Sequence, residues 1–206
     1  MSKTICYGMI GCGMMGQEHL RNIALLEGAE VRVIFEPDAE MAAKALSLAP
    51  QARLVGSIAE LLESAPLDCL VITSPNFRHL EQLEEIGATR PLPVLVEKPL
   101  FTAPEDAARL AAFRDSYAAP VWVAMEYRYM PPIAAFLDEI DAATGGATML
   151  TIREHRFPFL TKVGNWNRFN RYTGGTFVEK CWRCWPITAA ASPATARSGS
   201  RPRTAT

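Results

Sequence analysis

The sequence predicts an α/β fold: a doubly wound parallel sheet followed by an incomplete α/β second domain. Three observations carry that expectation. Short apolar runs alternate with helical patterns as far as about Val123. A glycine turn, Gly11-Cys12-Gly13-Met14-Met15-Gly16, joins the first apolar run to the first helical pattern, and the second apolar run, Val31 to Phe35, ends on an acid, Glu36.

The strands are expected at Ile5 to Ile10, Val31 to Phe35, a short run near Leu54, Cys69 to Thr73, Val94 to Val96 and Val121 to Met125. Leu20, Ile23 and Ala24 recur at helical spacing and give the first helix one buried face. Ser57 with Glu60 and Thr102 with Glu105 have capping-box spacing, and Asn76 is placed to cap the helix whose apolar face carries Leu80 and Leu83. The pattern changes after Met125. Pro131 and Pro132 open a helix carrying Phe136, Leu137 and Ile140, Gly145-Gly146 ends it, and Ala147 to His155 reads as a strand. Asn165 to Tyr172, rich in Trp, Asn, Arg and Tyr and followed by Gly174-Gly175, suits a loop bordering a polar ligand.

From Trp182 onward Ala, Ser, Thr, Pro and Arg dominate and no carboxylate occurs. Such a segment has no apolar periodicity with which to bury a face, so residues 188–206 are expected to be disordered. The expected organisation is a nucleotide-binding domain over 1–125, the start of a second domain over 126–187 and a tail over 188–206.

Composition narrows the function classes. The 206 residues carry a formal charge of −1 and show no basic stripe interleaved with aromatics, which argues against a nucleic-acid partner. Neither a signal-peptide pattern nor an apolar run of about 20 residues is found, so the expectation is a cytoplasmic chain with no membrane partner. Of the five cysteines, Cys181 and Cys184 form a Cys-x-x-Cys pair with no second pair or nearby His to complete a zinc set, and no metal is expected.

The glycine turn in this setting is the dinucleotide-binding fingerprint of a Rossmann fold. Gly11 permits the tight strand-to-helix turn, Gly13 lets the backbone approach a pyrophosphate, and Gly16 lets the helix pack close to the strand. The first N–H groups of the helix, around Met14 and Met15, then face an anion. A carboxylate at Glu36 accepts hydrogen bonds from both ribose hydroxyls of NAD and would repel a 2′-phosphate. Pro37 and Asp38 bring no Arg, so NAD is favoured over NADP unless Arg53 comes near in the fold.

Glu97-Lys98-Pro99 follows the strand Val94 to Val96 and so falls at the carboxyl edge of the sheet, where doubly wound folds bind ligands. An ammonium there can hydrogen-bond a substrate oxygen and stabilise charge as hydride moves. Spacing alone equally allows a lysine that only pairs with Glu97.

Gly11-x-Gly13-x-x-Gly16-x-x-His19, Thr73-Ser74-Pro75-Asn76-x-x-His79, Glu97-Lys98-Pro99 and the Trp166 to Gly175 segment together resemble the glucose-fructose oxidoreductase and inositol dehydrogenase family (Gfo/Idh/MocA) over residues 5 to about 181. The resemblance implies an NAD(P)-dependent oxidoreductase of sugars, polyols or related hydroxy compounds, with Lys98 catalytic and often before a cis proline. It implies cofactor contacts at Ser74, Pro75, Asn76, His79 and Glu97. Arg128, Trp166, Tyr172 and Glu179 are its candidates for contact with a small hydroxy substrate.

The likeness breaks at the family's Gly-Gly-x-x-x-Asp-x-x-x-His pattern, where alignment from Gly174-Gly175 puts Glu179 at the Asp and Arg183 at the catalytic His. A guanidinium stays protonated and cannot act as a base. The expectation is therefore a C-terminally truncated or frame-altered member, impaired in turnover, whose incomplete second domain argues against the family-type oligomer. A non-catalytic NAD-binding module with a regulatory or partner-binding role is the alternative; a methyltransferase shares the glycine loop and the second-strand acid but not the Glu-Lys-Pro and Ser-Pro-Asn motifs.

Overall fold

The computed structural model describes residues 3–64, 66–144 and 162–175. By compactness the chain divides into a unit holding Met1–Met125 with Arg156–Trp182 and a unit holding Glu126–His155 with Arg183–Thr206.

In the first unit, β1 (Ile5–Ile10), β2 (Ala29–Phe35), β3 (Arg53–Val55), β4 (Cys69–Ile72), β5 (Val94–Glu97) and β6 (Val121–Ala124) form one parallel sheet in the order β3-β2-β1-β4-β5-β6. This is the Rossmann order, with its switch point between β1 and β4. The six expected strands are all present, within two residues of the sequence reading at each end. Strand β2 carries one extra residue, since Tyr7 pairs with Val31 and Gly8 with Val33, so Arg32 is left unpaired by a bulge.

Side chains alternate across the strands and build two cores. On one face Ile10, Val33, Leu70, Ile72, Val94 and Val96 meet helices α3 (Ile58–Glu63), α4 (His79–Thr89) and α5 (Ala107–Ser116) through Ile58, Leu61, Leu83, Ile86 and Phe113. On the other, Met9, Val31, Ile34 and Val71 meet α1 (Met14–Ala24) and α2 (Ala39–Leu48) through Leu20, Ile23 and Ala45. Burying each such Leu or Ile side chain contributes about 1.5–3 kcal/mol, which holds the strand ends that build the site.

The helix starts differ from expectation in two places. Ser57 Oγ does accept from Glu60 N at 3.1 Å, while Glu60 reaches back to Gly56 N at 2.9 Å. Thr102 caps nothing, because Pro104 opens a 3-10 turn (Pro104–Asp106) with Ala103 in the preceding position. Asn76 does not cap α4 either. It begins a 3-10 turn, Asn76–Arg78, and α4 follows from His79 with no side-chain cap.

The segment read as a loop from Asn165 to Tyr172 is instead turned backbone: a 3-10 stretch, Val163–Arg168, with positive φ at Gly164 and Asn165, and then α7 (Asn170–Thr173). The sequence reading placed it in one continuous piece over 126–187. The structure groups residues 162–175 with the first unit, because Trp166 and Tyr172 cover Phe77. In the second unit a 3-10 turn, Glu126–Tyr129, leads into α6 (Pro131–Thr144), the helix expected from the proline pair. The expected strand Ala147 to His155, Glu179, Cys181, Arg183 and the tail over 188–206 lie outside the described residues.

Candidate nucleotide and catalytic site

The glycine turn leaves β1 at Gly11, whose φ of +83° suits glycine. A Cβ on Gly11 would stand 2.6 Å from the Ser74 backbone, and one on Gly16 would stand 2.6 Å from the Gly11 carbonyl oxygen and from Thr73 Oγ1. Both glycines are therefore required by the close approach of β1, α1 and the end of β4. Thr73 closes the same junction by donating from Oγ1 to the Gly11 carbonyl. A Cβ on Gly13 would meet nothing within 4 Å. That open space lies at the start of α1, whose first N–H groups, on Gly13, Met14, Met15 and Gly16, have no acceptor within the helix.

Glu36 follows β2 and bends back to this turn. Its Oε2 accepts from Cys12 N at 2.5 Å and its Oε1 from Asp38 N at 2.9 Å. Each oxygen keeps a lone pair for a further donor. Burial, then Glu36, push the Cys12 thiol up to about 12, so the thiol stays protonated beside the turn. Arg53 is committed elsewhere, to Glu60 at 2.9 Å and to Ser64 Oγ at 2.5 Å.

The loop after β4 supplies Ser74, Pro75 and Asn76. Ser74 Oγ donates to Gln82 Oε1 at 2.5 Å. Asn76 is buried, and among the described residues its Nδ2 has no acceptor. A buried amide donor without a partner costs about 1–3 kcal/mol, an expense that a bound ligand can relieve.

At the end of β5, Glu97 and Lys98 are each 8% exposed, and the Lys98-Pro99 peptide is cis, as the resemblance implies. His19 Nε2 lies 3.1 Å from Glu97 Oε1. Burial works to raise the Glu97 carboxyl, but the hydrogen bond and charge of His19, with Lys98 and His79, outweigh it and hold the group below its ordinary value.

His79, expected among the cofactor contacts, is fully buried, with Nδ1 2.7 Å from the Pro99 carbonyl oxygen and Nε2 2.9 Å from that of Ser74. The structure leaves neither nitrogen for a ligand, and the ring acts through the two loops it joins. Burial holds its pKa below the ordinary value, against the two carbonyls and Glu97.

Trp166 and Tyr172 pack on Phe77, with ring centroids 6.3 and 4.6 Å away. Lys162 lies 4.9 Å over the Trp166 ring and Arg171 4.6 Å over that of Tyr172. The side chain of Arg128 lies outside the described part. Among the described residues no group of three or more His, Cys, Asp or Glu side chains could hold a metal, and no helix is long and apolar enough to cross a membrane.

Sequence reasoning missed Gln82 and Phe77. Gln82 had a signal, being a polar residue inside the apolar stripe Leu80, Leu83, Ile86. Phe77 had none, since its partners are distant in the chain.

With this geometry in place, residues 5–125 match the oxidoreductase family with an NAD-binding Rossmann fold, GFO_IDH_MocA. The chain belongs to that family. Among Gfo/Idh/MocA relatives it is 26% identical over 179 residues to the rhizopine catabolism protein MocA of Rhizobium meliloti, covering 84% of this chain and 52% of that protein. It is 32% identical over 158 residues to inositol 2-dehydrogenase 3 of Saccharopolyspora erythraea, covering 75% and 46%. Among solved structures, myo-inositol dehydrogenase from Lactobacillus casei in complex with NAD(H) and myo-inositol is 27% identical with a TM-score of 0.63, covering 70% of this chain and 43% of that one. The WlbA dehydrogenase from Bordetella pertussis, 21% identical with a TM-score of 0.73 over 93% of this chain and 56% of that one, shares the fold. The chain spans about half the length of the curated relatives it matches.

The family's cofactor fits the residues present. Space stands open over Gly13, helix N–H groups begin beside it, a carboxylate with spare lone pairs is held at the end of β2, and Asn76 has a buried donor to give.

Proposed function

We propose that this chain forms the NAD-binding half of a dehydrogenase acting on a sugar, a polyol such as an inositol, or a related hydroxy compound. The observation that carries the reading is the convergence, at the carboxyl edge of one parallel sheet, of the Gly11 to Gly16 turn, Glu36, the Ser74 to Asn76 loop and Lys98.

Gly11, Gly13 and Gly16, with the N–H groups at Met14 and Met15, receive the pyrophosphate; Glu36 takes the ribose hydroxyls and favours NAD over NADP. Ser74, Pro75, Asn76 and Glu97 border the reacting end. NAD, when bound, accepts the hydride that an alcohol carbon gives up. A neutral Lys98 amine would take the hydroxyl proton as hydride leaves the alcohol carbon, and the ammonium so formed would hydrogen-bond the resulting carbonyl oxygen. Trp166 and Tyr172, packed against Phe77 one residue past Asn76, are substrate-side candidates; Arg128 and Glu179 are candidates on the resemblance alone.

A second reading, a non-catalytic NAD-binding module with a regulatory or partner-binding role, is favoured by Arg183, which occupies the place of the family's base in the sequence. Loss of a general base removes about 10²–10⁴ in rate. Calorimetry of the full chain with NADH and NADPH tests the nucleotide site: NADH binds, and binds more tightly than NADPH. A folded sample that gives heat with neither overturns the reading. NADH formation across a panel of polyols, lost in Lys98→Ala, then separates the dehydrogenase from the module.

A further inference from the structure

We propose that His19 is a positioning residue for the Lys98 end of the site: its ring, carried on α1, holds the Glu97 carboxylate in one place beside Lys98. The inference deepens the dehydrogenase reading and rests on it for the role of Lys98.

The contact joins elements 78 residues apart in the chain, with Nε2 to Oε1 at 3.1 Å and side chains only 19% and 10% exposed. A carboxylate can only accept, so Nε2 is the nitrogen that carries the proton toward it. Nothing in the packing of α1 asks for a histidine at this position. The buried face of the helix is Gly16, Leu20 and Ile23, and His19 lies beside that stripe.

Glu97, by contrast, needs a partner. Its backbone is fixed by pairing with Ala124 in the sheet, and its buried charge is costly unless compensated. The charged and titratable groups acting on it are His19 from α1, Lys98 next to it in the chain and His79 from α4. His79 Nδ1 in turn lies 2.7 Å from the carbonyl oxygen of Pro99. Two histidines from two helices thus grip the residues on either side of Lys98, one through a side chain and the other through a backbone oxygen. Rigidity of this kind is what a catalytic ammonium requires to meet a substrate oxygen within about 0.5 Å of its productive place.

The test uses the full chain labelled with ¹³C at glutamate Cδ, and the Glu97 resonance is the one lost in Glu97→Gln. His19→Ala is expected to increase the proton affinity of Glu97 about tenfold or more, the usual effect of removing a close cationic or hydrogen-bonding partner. His19→Gln, which keeps an N–H donor, is expected to fall between. In parallel, acylation of Lys98 by acetic anhydride, followed by mass spectrometry, is expected to change by about threefold or more in His19→Ala. The Glu97→Gln and His19→Ala effects should not add in the double variant, as for residues acting through one contact. A His19→Ala or His19→Gln chain with native circular dichroism, an unmoved Glu97 midpoint and unchanged Lys98 acylation overturns the proposal. The nucleotide reading fails separately: a chain that binds no NADH yet shows both changes keeps the His19–Glu97–Lys98 coupling, and one that binds NADH and shows neither loses it.

Discussion

His79 Nδ1 lies 2.7 Å from the carbonyl oxygen of Pro99, while the other nitrogen of the same buried ring lies 2.9 Å from that of Ser74. One side chain thereby joins the loop after β4, which carries Asn76, to the loop after β5, which carries Lys98. His79→Phe keeps the volume and removes the single N–H that the neutral ring has to give to one of these two carbonyls. Leaving a buried carbonyl without its donor costs about 1–3 kcal/mol, so the urea midpoint should fall clearly. Because the ring stands between both loops, NADH affinity should fall as well. An unchanged midpoint would mean that the ring only fills space.

The same residue sets an acid sensitivity. The folded pKa of His79 is lowered, chiefly by burial, below the ordinary 6.5 that the unfolded chain retains. The unfolded state therefore binds the proton first as pH falls. The stability carried by the neutral ring is complete above about 6.5 and declines below it, toward the folded value. Glu97, also lowered, adds a second loss as pH drops below its ordinary 4.5 and through its folded pKa. Urea denaturation at pH 7.5 and 5.5 should show wild type losing more stability than His79→Phe over that interval. Equal losses would assign the sensitivity to other groups.

The three glycines of the turn should separate by what they do. Gly11→Ala places a Cβ 2.6 Å from backbone at a positive φ, and Gly16→Ala drives one against the Gly11 carbonyl, so both are expected to destabilise the fold. Gly13→Ala meets only open space and has an ordinary φ of −63°. Its thermal midpoint should stay close to wild type, with a cost below about 1 kcal/mol, while NADH affinity falls about tenfold or more because the methyl group stands where the pyrophosphate must approach. Calorimetry beside a thermal melt reads both. Retained affinity in Gly13→Ala would place the nucleotide elsewhere.

Local physics made most of this fold legible. Val94, Leu95 and Val96 form a continuous apolar run because the strand is covered on both faces, and the glycine turn announces both its strand and its helix. Cap signals were less dependable where proline intervened: Pro104 pre-empted Thr102, and the turn after Pro75 pre-empted Asn76. Of the site, the residues fixed by a motif were readable. The ties between them were not, since His19 to Glu97, His79 to Pro99 and Phe77 to Tyr172 are contacts between separate elements that no spacing rule reports.

Cofactor preference should reside in Glu36. Its carboxylate is oriented by Cys12 N and Asp38 N, and Arg53, the cation the sequence offers for a 2′-phosphate, is bound to Glu60 and Ser64. Glu36→Ser removes the repulsion and a charge-assisted acceptor worth about 1.5–3 kcal/mol. The NADH-to-NADPH affinity ratio should therefore fall by about tenfold or more, mostly through weaker NADH binding. Competition calorimetry reads the ratio, and one that does not move would show that the ribose is recognised by other groups.

Phe77 should control how firmly residues 162–175 are held to the first unit. Its ring contacts Tyr172 and Trp166, and aromatic pairs of this kind contribute about 0.5–1.5 kcal/mol each beyond the area they bury. Phe77→Ala removes both contacts at once. A local loss of about 1.4 kcal/mol raises the open population tenfold, and when opening and closing are fast, proteolysis follows that population. Arg168 and Arg171 lie exposed in this segment as ready trypsin sites. Cleavage after them is expected to speed up about tenfold in Phe77→Ala. The global urea midpoint should change little, because the two cores on either face of the sheet do not include Phe77. Cleavage at the wild-type rate would mean that the backbone turns at Gly164 and Gly174, rather than the aromatic contacts, fix the segment.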